Sequence, residues 1–198
     1  MLYYLGKFIY FVFIKFFCGL NVQGKENIPA KGGFILASNH LSYLDPPVLG
    51  VASSRRMDFF AKEELFGNKF FAKILFSVGA FPVKRNKMDL TAVKEAIRRL
   101  KQGKALVMFP EGTRSEDGQI KDGQEGVGFL ASKAEVPIIP AYIRGTDKVL
   151  PKNSKSLKLN KINVYFGKKI DVERRQAYAD ISALVIQRIR HLACSSAQ

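Results

Sequence analysis

A histidine and an aspartate lie five residues apart in the segment Asn39–Asp45, and two prolines follow the aspartate directly. The histidine side chain has an ordinary pKa of about 6.5, so His40 can accept a proton near neutral pH. A carboxylate bonded to the far ring nitrogen fixes the tautomer and stabilises the imidazolium. Asp45 is the nearest carboxylate, although aspartate before proline is also a common helix N-cap. The two roles are compatible, and His40 and Asp45 are our candidate catalytic pair.

A second polar block, Phe109–Ser115, ends the apolar run Ala105–Phe109, which is typical of a buried parallel strand. Gly112 allows the backbone to approach a ligand closely, and Arg114 can bind phosphate oxygens through two parallel hydrogen bonds. Glu111 would repel an adjacent anion, so we expect it to hold Arg114 or a hydroxyl of the substrate. The block therefore predicts a phosphate site at the end of a strand.

A third block, Gly79–Arg85, is a short predicted strand that ends in cations. Arg85 is a second candidate ligand for phosphate and Lys84 a weaker one, with a solvated charged surface as the alternative. A proton acceptor, an orienting carboxylate and phosphate-binding cations together favour acyl transfer onto the hydroxyl of a phosphorylated alcohol.

Ser42 is not expected to act as a nucleophile. It lies only two residues from His40, and the chain has no Gly-x-Ser-x-Gly turn of the kind that exposes a nucleophilic serine. Direct attack by the hydroxyl of a substrate requires no nucleophile from the enzyme.

The composition indicates a basic, single-domain protein. The chain has 198 residues, with 32 Lys and Arg against 17 Asp and Glu, a net charge of +15. Such a surface favours polyanions: nucleic acid, anionic lipid or phosphorylated substrates. No zinc finger, RNA-recognition signature or basic helix-turn-helix is visible, so no nucleic-acid partner is expected. Two cysteines and two histidines make a disulfide framework or a metal site improbable, and the cysteine usage fits a reducing compartment.

Apolar runs alternate with helical patterns between residues 21 and 198, which predicts a single α/β domain. One helix is expected between Asp89 as N-cap and Gly103 as C′ residue, and another at Val172–Cys194. We expect six strands, at Gly33–Ala37, Met57–Ala61, Gly79–Val83, Ala105–Phe109, Ile138–Ile143 and Ile162–Phe166. His40 follows the first of them, at the edge where open α/β sheets bind ligands.

Residues 1–20 are expected to form a membrane-associating helix. Eight aromatic residues fill the segment, while Lys7 and Lys15 fall on one side of a helix. Aromatic residues with lysines on one side favour a helix lying in the headgroup layer. A buried packing helix and a membrane span remain alternatives. A signal peptide is disfavoured because no small-residue cleavage site follows.

Two further segments are basic. Residues 62–78 combine a wide apolar face with lysines, which fits either a membrane-surface helix or a core helix with extended lysine stems. Five lysines in the predicted loop Asp147–Lys161 fit either a solvated loop or contact with anionic lipid.

Four blocks, in order along the chain, resemble signature blocks of the glycerolipid acyltransferases, in particular the lysophosphatidic acid acyltransferases. The blocks are Asn39–Asp45, Gly79–Arg85, Phe109–Ser115 and Val136–Ala141. The resemblance implies a mixed, mostly parallel sheet flanked by helices, with His40 and Asp45 as the catalytic pair. It also implies that the glycerol phosphate of the acceptor is held by Arg85, Glu111, Gly112, Thr113 and Arg114.

The resemblance further implies a reaction. A fatty acyl group would pass from a coenzyme A or acyl-carrier-protein thioester to the sn-2 hydroxyl of lysophosphatidic acid, giving phosphatidic acid without a metal or prosthetic group. The protein would be monotopic or peripheral on the cytoplasmic face of the cell membrane, in contact with its anionic surface. Glycerol-3-phosphate or another lysophospholipid is an alternative acceptor, and a non-catalytic anionic-lipid-binding module is a rival hypothesis.

Overall fold

The computed structural model describes residues 12, 14–16, 18–84, 89–151, 156–173 and 175–196. Within them, seven strands form one sheet in the order β1-β7-β6-β2-β5-β3-β4, and only the β6–β7 pair is antiparallel. The strands are β1 Asn21–Gln23, β2 Phe34–Ser38, β3 Met57–Lys62, β4 Ala80–Val83, β5 Ala105–Met108, β6 Ile138–Arg144 and β7 Asn163–Phe166. The predicted α/β fold with a mixed, mostly parallel sheet is confirmed.

Helices connect the strands and cover both faces of the sheet. The α-helices are α1 Asp45–Ala52, α2 Lys69–Ser77, α3 Leu90–Lys101, α4 Gly126–Ala134, the single turn α5 Thr146–Val149, and α6 Tyr178–Ser195. In the described part of the chain, 3₁₀ helices occur at Lys25–Asn27 and Glu63–Phe66. The predicted N-cap of Asp89 is confirmed, because its side chain accepts hydrogen bonds from the backbone of the first turn of α3.

The core has two halves because side chains alternate along each strand. In β2, all of which is buried, Phe34 and Leu36 face α1. Ile35 and Ala37 face the layer formed by α3, α4 and α6. Ile14 packs in the α1 half, so the described part of the N-terminal helix lies on that face. A central strand buried on both sides is the expected pattern for a parallel sheet.

The order of the strands determines where the chemistry can lie. The central strand β2 pairs in parallel with β5 on one side and with β6 on the other. The carboxyl ends of these strands therefore meet at one edge of the sheet, together with the end of β3. We call it the catalytic edge, because the loops with His40 and Glu111 both begin there.

Several predicted boundaries differ from the structure. The last helix begins at Tyr178 rather than Val172, and residues 62–78 divide into the 3₁₀ helix at Glu63–Phe66 and α2. The N-cap role of Asp45 is wrong: Leu44 occupies that position, and the Asp45 carboxylate accepts hydrogen bonds from groups upstream instead.

Most of the predicted membrane-associating helix, residues 1–11, 13 and 17, lies outside the described residues, whereas residues 12, 14–16 and 18 are helical. Across the described part of the chain, no helix combines the length and apolar character needed to cross a bilayer.

At the amino ends of the strands, a largely buried arginine connects α3 to β3. Arg99 Nη1 lies 2.7 Å from Asp58 Oδ2, and Arg99 Nε lies 2.6 Å from Glu95 Oε1. The guanidinium also lies 4.5 Å from the centre of the Phe81 ring. Hydrogen bonds from Arg98 and then Arg99 lower the pKa of Glu95 from 4.5 to about 2. The ionised carboxylate therefore stabilises the fold.

We expect Glu95→Gln to lower the free energy of unfolding at pH 7 by about 1 kcal/mol, since the carboxylate is partly exposed. The folded-state pKa lies below the unfolded value, so the contribution is complete above pH 4.5 and is lost as the pH falls towards 2. Urea unfolding of both proteins from pH 7 to pH 3 measures the difference. Glu26→Gln, at an exposed position, is the control, and a gap as large at pH 3 as at pH 7 would contradict the assignment.

Candidate active site

The predicted catalytic pair is assembled in the structure. His40 Nδ1 lies 2.8 Å from Asp45 Oδ2, His40 is 9% exposed and Asp45 is fully buried. An ionised carboxylate only accepts hydrogen bonds, so the proton of the neutral imidazole lies on Nδ1. The lone pair of His40 is consequently on Nε2, which is the atom able to take a proton from a substrate.

Four donors surround the carboxylate of Asp45. Its Oδ2 atom accepts from the His40 ring and from the backbone N–H groups of Leu41 and Ser42, at 2.6 and 2.8 Å. Its Oδ1 atom accepts from the hydroxyl of Thr146, at 2.5 Å. These bonds offset the cost of removing a charge from water. Asp45 therefore fixes the loop that carries His40 as well as the His40 ring.

Thr146 is a site residue that the sequence did not reveal. It is fully buried and follows Gly145, whose φ of 92° turns the chain out of β6 and into α5. The hydroxyl of Thr146 reaches Asp45 across 101 positions of sequence. A single threonine after a strand does not indicate a functional site in the sequence. Thr146 comes close to His40 and Asp45 only because β6 pairs with β2.

The Asn39 side chain fastens the same loop to β6. Its Oδ1 accepts from the backbone N–H of Ile143 at 2.8 Å, and its Nδ2 donates to the Ile143 carbonyl at 2.9 Å. The side-chain amide of Asn39 thus continues the hydrogen bonding to β6 beyond the point where β2 ends. Asn39 is 1% exposed, so it positions His40 and does not contact a ligand.

The segment Phe109–Ser115 contacts the segment Asn39–Asp45 directly. The rings of Phe109 and His40 are stacked, with centroids 3.9 Å apart and planes 16° from parallel. The backbone N–H of His40 donates to Glu111 Oε1 at 3.1 Å, and the backbone N–H of Ser115 donates to the His40 carbonyl at 2.8 Å. The two motifs, distant in sequence, thus form one site at the catalytic edge.

Glu111 has a different role from the one that the sequence suggested. Its two oxygens accept from the backbone N–H groups of His40 and Lys121, and the side chain is buried. Glu111 therefore joins two loops instead of holding Arg114. A contact between Glu111 and a substrate hydroxyl stays a prediction.

Arg114, Gly112 and Thr113, three further phosphate candidates, lie in the turn that follows Glu111. The guanidinium of Arg114 stacks over the ring of Tyr43, 3.7 Å from its centre, and among the described residues no carboxylate forms an ion pair with it. Gly112 has a φ of 73°, the left-handed conformation that favours glycine, and both Gly112 and Thr113 are exposed. Arg85 lies outside the described residues.

The hydroxyl of Ser42 is buried and donates to the carbonyl of Leu150 at 3.1 Å. This position agrees with the prediction that Ser42 is not a nucleophile. Across the described ranges, no three His, Cys, Asp or Glu side chains are grouped so that they could hold a metal ion.

Comparison with known proteins identifies the family. A family model described as acyltransferase matches residues 19–144. The chain belongs to this acyltransferase family. It is 32% identical to the 1-acyl-sn-glycerol-3-phosphate acyltransferase of Bacillus subtilis, over 88% of each chain. It is 30% identical to the chloroplastic acyltransferase LPAT1 of Arabidopsis thaliana, over 84% of this chain and 49% of that relative.

A solved structure shows the same fold. The acyltransferase PlsC of Thermotoga maritima superposes with a TM-score of 0.77 and 28% sequence identity, covering 94% of this chain and 76% of that one. The expected resemblance to lysophosphatidic acid acyltransferases is thereby confirmed.

We expect Thr146→Val in this acyltransferase to leave Asp45 Oδ1 without its donor and to lower the free energy of unfolding by about 1–3 kcal/mol. Thr146→Ser keeps the hydroxyl and is the matched control. Urea unfolding at pH 7 measures both variants. A valine variant as stable as the wild type would show that the Thr146–Asp45 bond does not support the site.

Proposed function

We propose that the protein is a 1-acylglycerol-3-phosphate acyltransferase. In this reaction a fatty acyl group passes from an acyl thioester to the sn-2 hydroxyl of lysophosphatidic acid, which becomes phosphatidic acid. The observation that carries the proposal is the His40–Asp45 pair held against the turn that bears Arg114. The names of the Bacillus and Thermotoga relatives support the choice of acceptor.

The chemistry follows from the position of the free nitrogen. Nε2 of His40 takes the proton of the acceptor hydroxyl as the oxygen attacks the carbonyl carbon of the thioester, and Asp45 stabilises the resulting imidazolium. The tetrahedral intermediate then collapses, and the carbon–sulfur bond breaks. The imidazolium returns its proton to the sulfur, which leaves as a thiol. The His40 ring thus acts first as the base and then as the acid, and no covalent enzyme intermediate forms.

The acceptor must be held so that its hydroxyl meets Nε2. Arg114 binds the phosphate through its N–H groups while the Tyr43 ring supports the guanidinium face. The exposed backbone of Gly112 and Thr113 lies in the same turn. Arg85 is the second proposed phosphate ligand. Fixing the phosphate converts a bimolecular encounter into an aligned one.

The donor and the location are parts of the same proposal. Coenzyme A or acyl carrier protein supplies the acyl thioester, and no metal or prosthetic group is needed for the steps above. A lysolipid acceptor resides in a bilayer, so the protein acts as a monotopic or peripheral protein on the cytoplasmic face of the membrane. The charge of +15 favours an anionic surface there.

We expect His40→Ala to lower kcat for acyl transfer by about 10²- to 10⁴-fold, because the attacking hydroxyl loses its base. The matched control is His191→Ala, which removes the second histidine of the chain, on the exposed side of α6. The assay follows thiol release with lysophosphatidic acid as acceptor, after circular dichroism has shown that both variants fold. Activity of His40→Ala close to wild type would overturn the role of His40 as a base.

We expect Arg114→Ala to raise KM for lysophosphatidic acid by about 10- to 100-fold, the loss of a charge-assisted hydrogen bond, while KM for the donor stays constant. Arg188→Ala, at an exposed position on α6, is the control. A monoacylglycerol, which lacks the phosphate, should be a poor acceptor for both proteins. An equal KM for lysophosphatidic acid in variant and wild type would show that Arg114 does not bind its phosphate.

Transfer to glycerol-3-phosphate or to another lysophospholipid, in preference to lysophosphatidic acid, would replace the proposed acceptor and keep the reaction. No transfer from either thioester to any of these acceptors would instead indicate a lipid-binding module without catalytic activity.

A further inference from the structure

The helix α2 exposes its apolar side chains. Of its nine residues only Ala72 is buried, whereas Phe70 is 77%, Phe71 44% and Ile74 42% exposed. At 100° per residue, Phe70 and Ile74 share one side of the helix and Ala72 lies on the opposite side. The helix therefore buries only a single small residue fully and presents Phe70 and Ile74 to the surroundings.

This orientation argues against one of the two hypotheses that the sequence left open for residues 62–78, the core helix. A core helix would bury its phenylalanines, and here they are the exposed residues. In the preceding 3₁₀ helix, Leu65 is also 44% exposed. We call Leu65, Phe70, Phe71 and Ile74 the apolar patch of α2. Contiguous exposed apolar groups of this kind mark a surface that is covered when the protein works.

The charge around the apolar patch indicates what covers it. Lys62, Lys69 and Lys73 are exposed beside it, and α2 contains no aspartate or glutamate. Of the nearby acids, Glu63 is paired with Lys84, at 3.7 Å. Apolar side chains bordered by lysines match the layering of a bilayer, in which anionic phosphates lie above the acyl chains.

The location of α2 adds a second argument. It follows β3, which ends at the catalytic edge, and the right-handed β3–α2–β4 crossover places α2 on the same face of the sheet as α1. The N-terminal helix packs on that face too, through Ile14, and there Phe16 is 87% exposed. Two separate elements thus expose aromatic side chains on one face of the domain.

We propose that α2 is a membrane-docking helix. The apolar patch inserts among the lipids of an anionic bilayer, and the ammonium groups of Lys62, Lys69 and Lys73 bind the lipid phosphates. The catalytic edge then faces the layer in which a lysolipid acceptor lies. The inference rests on the proposed function only in that the acceptor comes from a membrane.

The absence of tryptophan from the sequence gives a direct test. Phe70→Trp introduces a lone tryptophan into the full-length chain at a mostly exposed position. Leu90→Trp is the matched control, because Leu90 is 61% exposed at the start of α3, which packs on the other face. Each variant is mixed with vesicles of phosphatidylcholine and phosphatidylglycerol, and with vesicles of phosphatidylcholine alone. Some vesicles also carry lipids brominated on the acyl chain.

We expect the emission of Phe70→Trp to shift to the blue and to be quenched by brominated lipid in the anionic vesicles, at least tenfold more strongly than in phosphatidylcholine alone. Leu90→Trp should show neither change. Unchanged emission from Phe70→Trp while the protein sediments with vesicles would overturn the proposal and leave the enzymatic assignment intact. A blue shift without vesicles that grows with protein concentration, or on addition of acyl carrier protein, would overturn it in favour of a protein partner.

A second variant separates docking from catalysis. We expect Phe70→Ser/Phe71→Ser to bind anionic vesicles at least tenfold more weakly and to lose activity on lysophosphatidic acid in vesicles. Activity on a short-chain acceptor in solution should be kept, since neither phenylalanine belongs to the site. Equal vesicle binding by this variant and the wild type would overturn the role of α2. If neither the wild type nor the variant acylated the soluble acceptor, this result would instead contradict the proposed function.

Discussion

The buried carboxylate of Asp45 is the constraint on which the site depends. A charge fully removed from water is tolerated only where hydrogen bonds replace its hydration. Here the replacing donors come from the His40 ring, the backbone that follows it, and Thr146 beyond β6. Satisfying one anion therefore fixes the loop, the imidazole and the end of a neighbouring strand relative to one another.

The parallel pairing of β2 with β5 supplies the rest of the geometry. Because the two strands run side by side in the same direction, the motifs at their carboxyl ends meet although 71 positions separate His40 from Glu111. Phe109, the residue after β5, becomes the surface against which the imidazole lies. A rigid sheet thus positions polar groups that are carried on the loops and helix starts following its strands.

The sequence predicted the helices, the strands and the contact between His40 and Asp45 better than the groups that hold this pair in place. The strands were recognisable because fully apolar runs are typical of a buried parallel sheet, and His40 and Asp45 because five residues of separation suffice for a local contact. Thr146 and the clamp formed by Asn39 were missed, since both depend on register between distant strands. Glu111 accepts from backbone groups and not from Arg114, and composition alone does not reveal such neighbours in space. The exposed side of α2 also required the structure, because its apolar residues fit a core equally well.

The stacking of Phe109 on His40 has a kinetic consequence. With one ring face covered and Nδ1 engaged by Asp45, the imidazole cannot turn to present a different nitrogen during turnover. In the proposed reaction, the oxygen that gives up a proton and the sulfur that receives it would both reach Nε2 from this open side. Because the proposed acceptor attacks the thioester directly and no nucleophile of the enzyme takes part, both substrates would occupy the enzyme together in a ternary complex, and the expected rate law is sequential, without a ping-pong half-reaction.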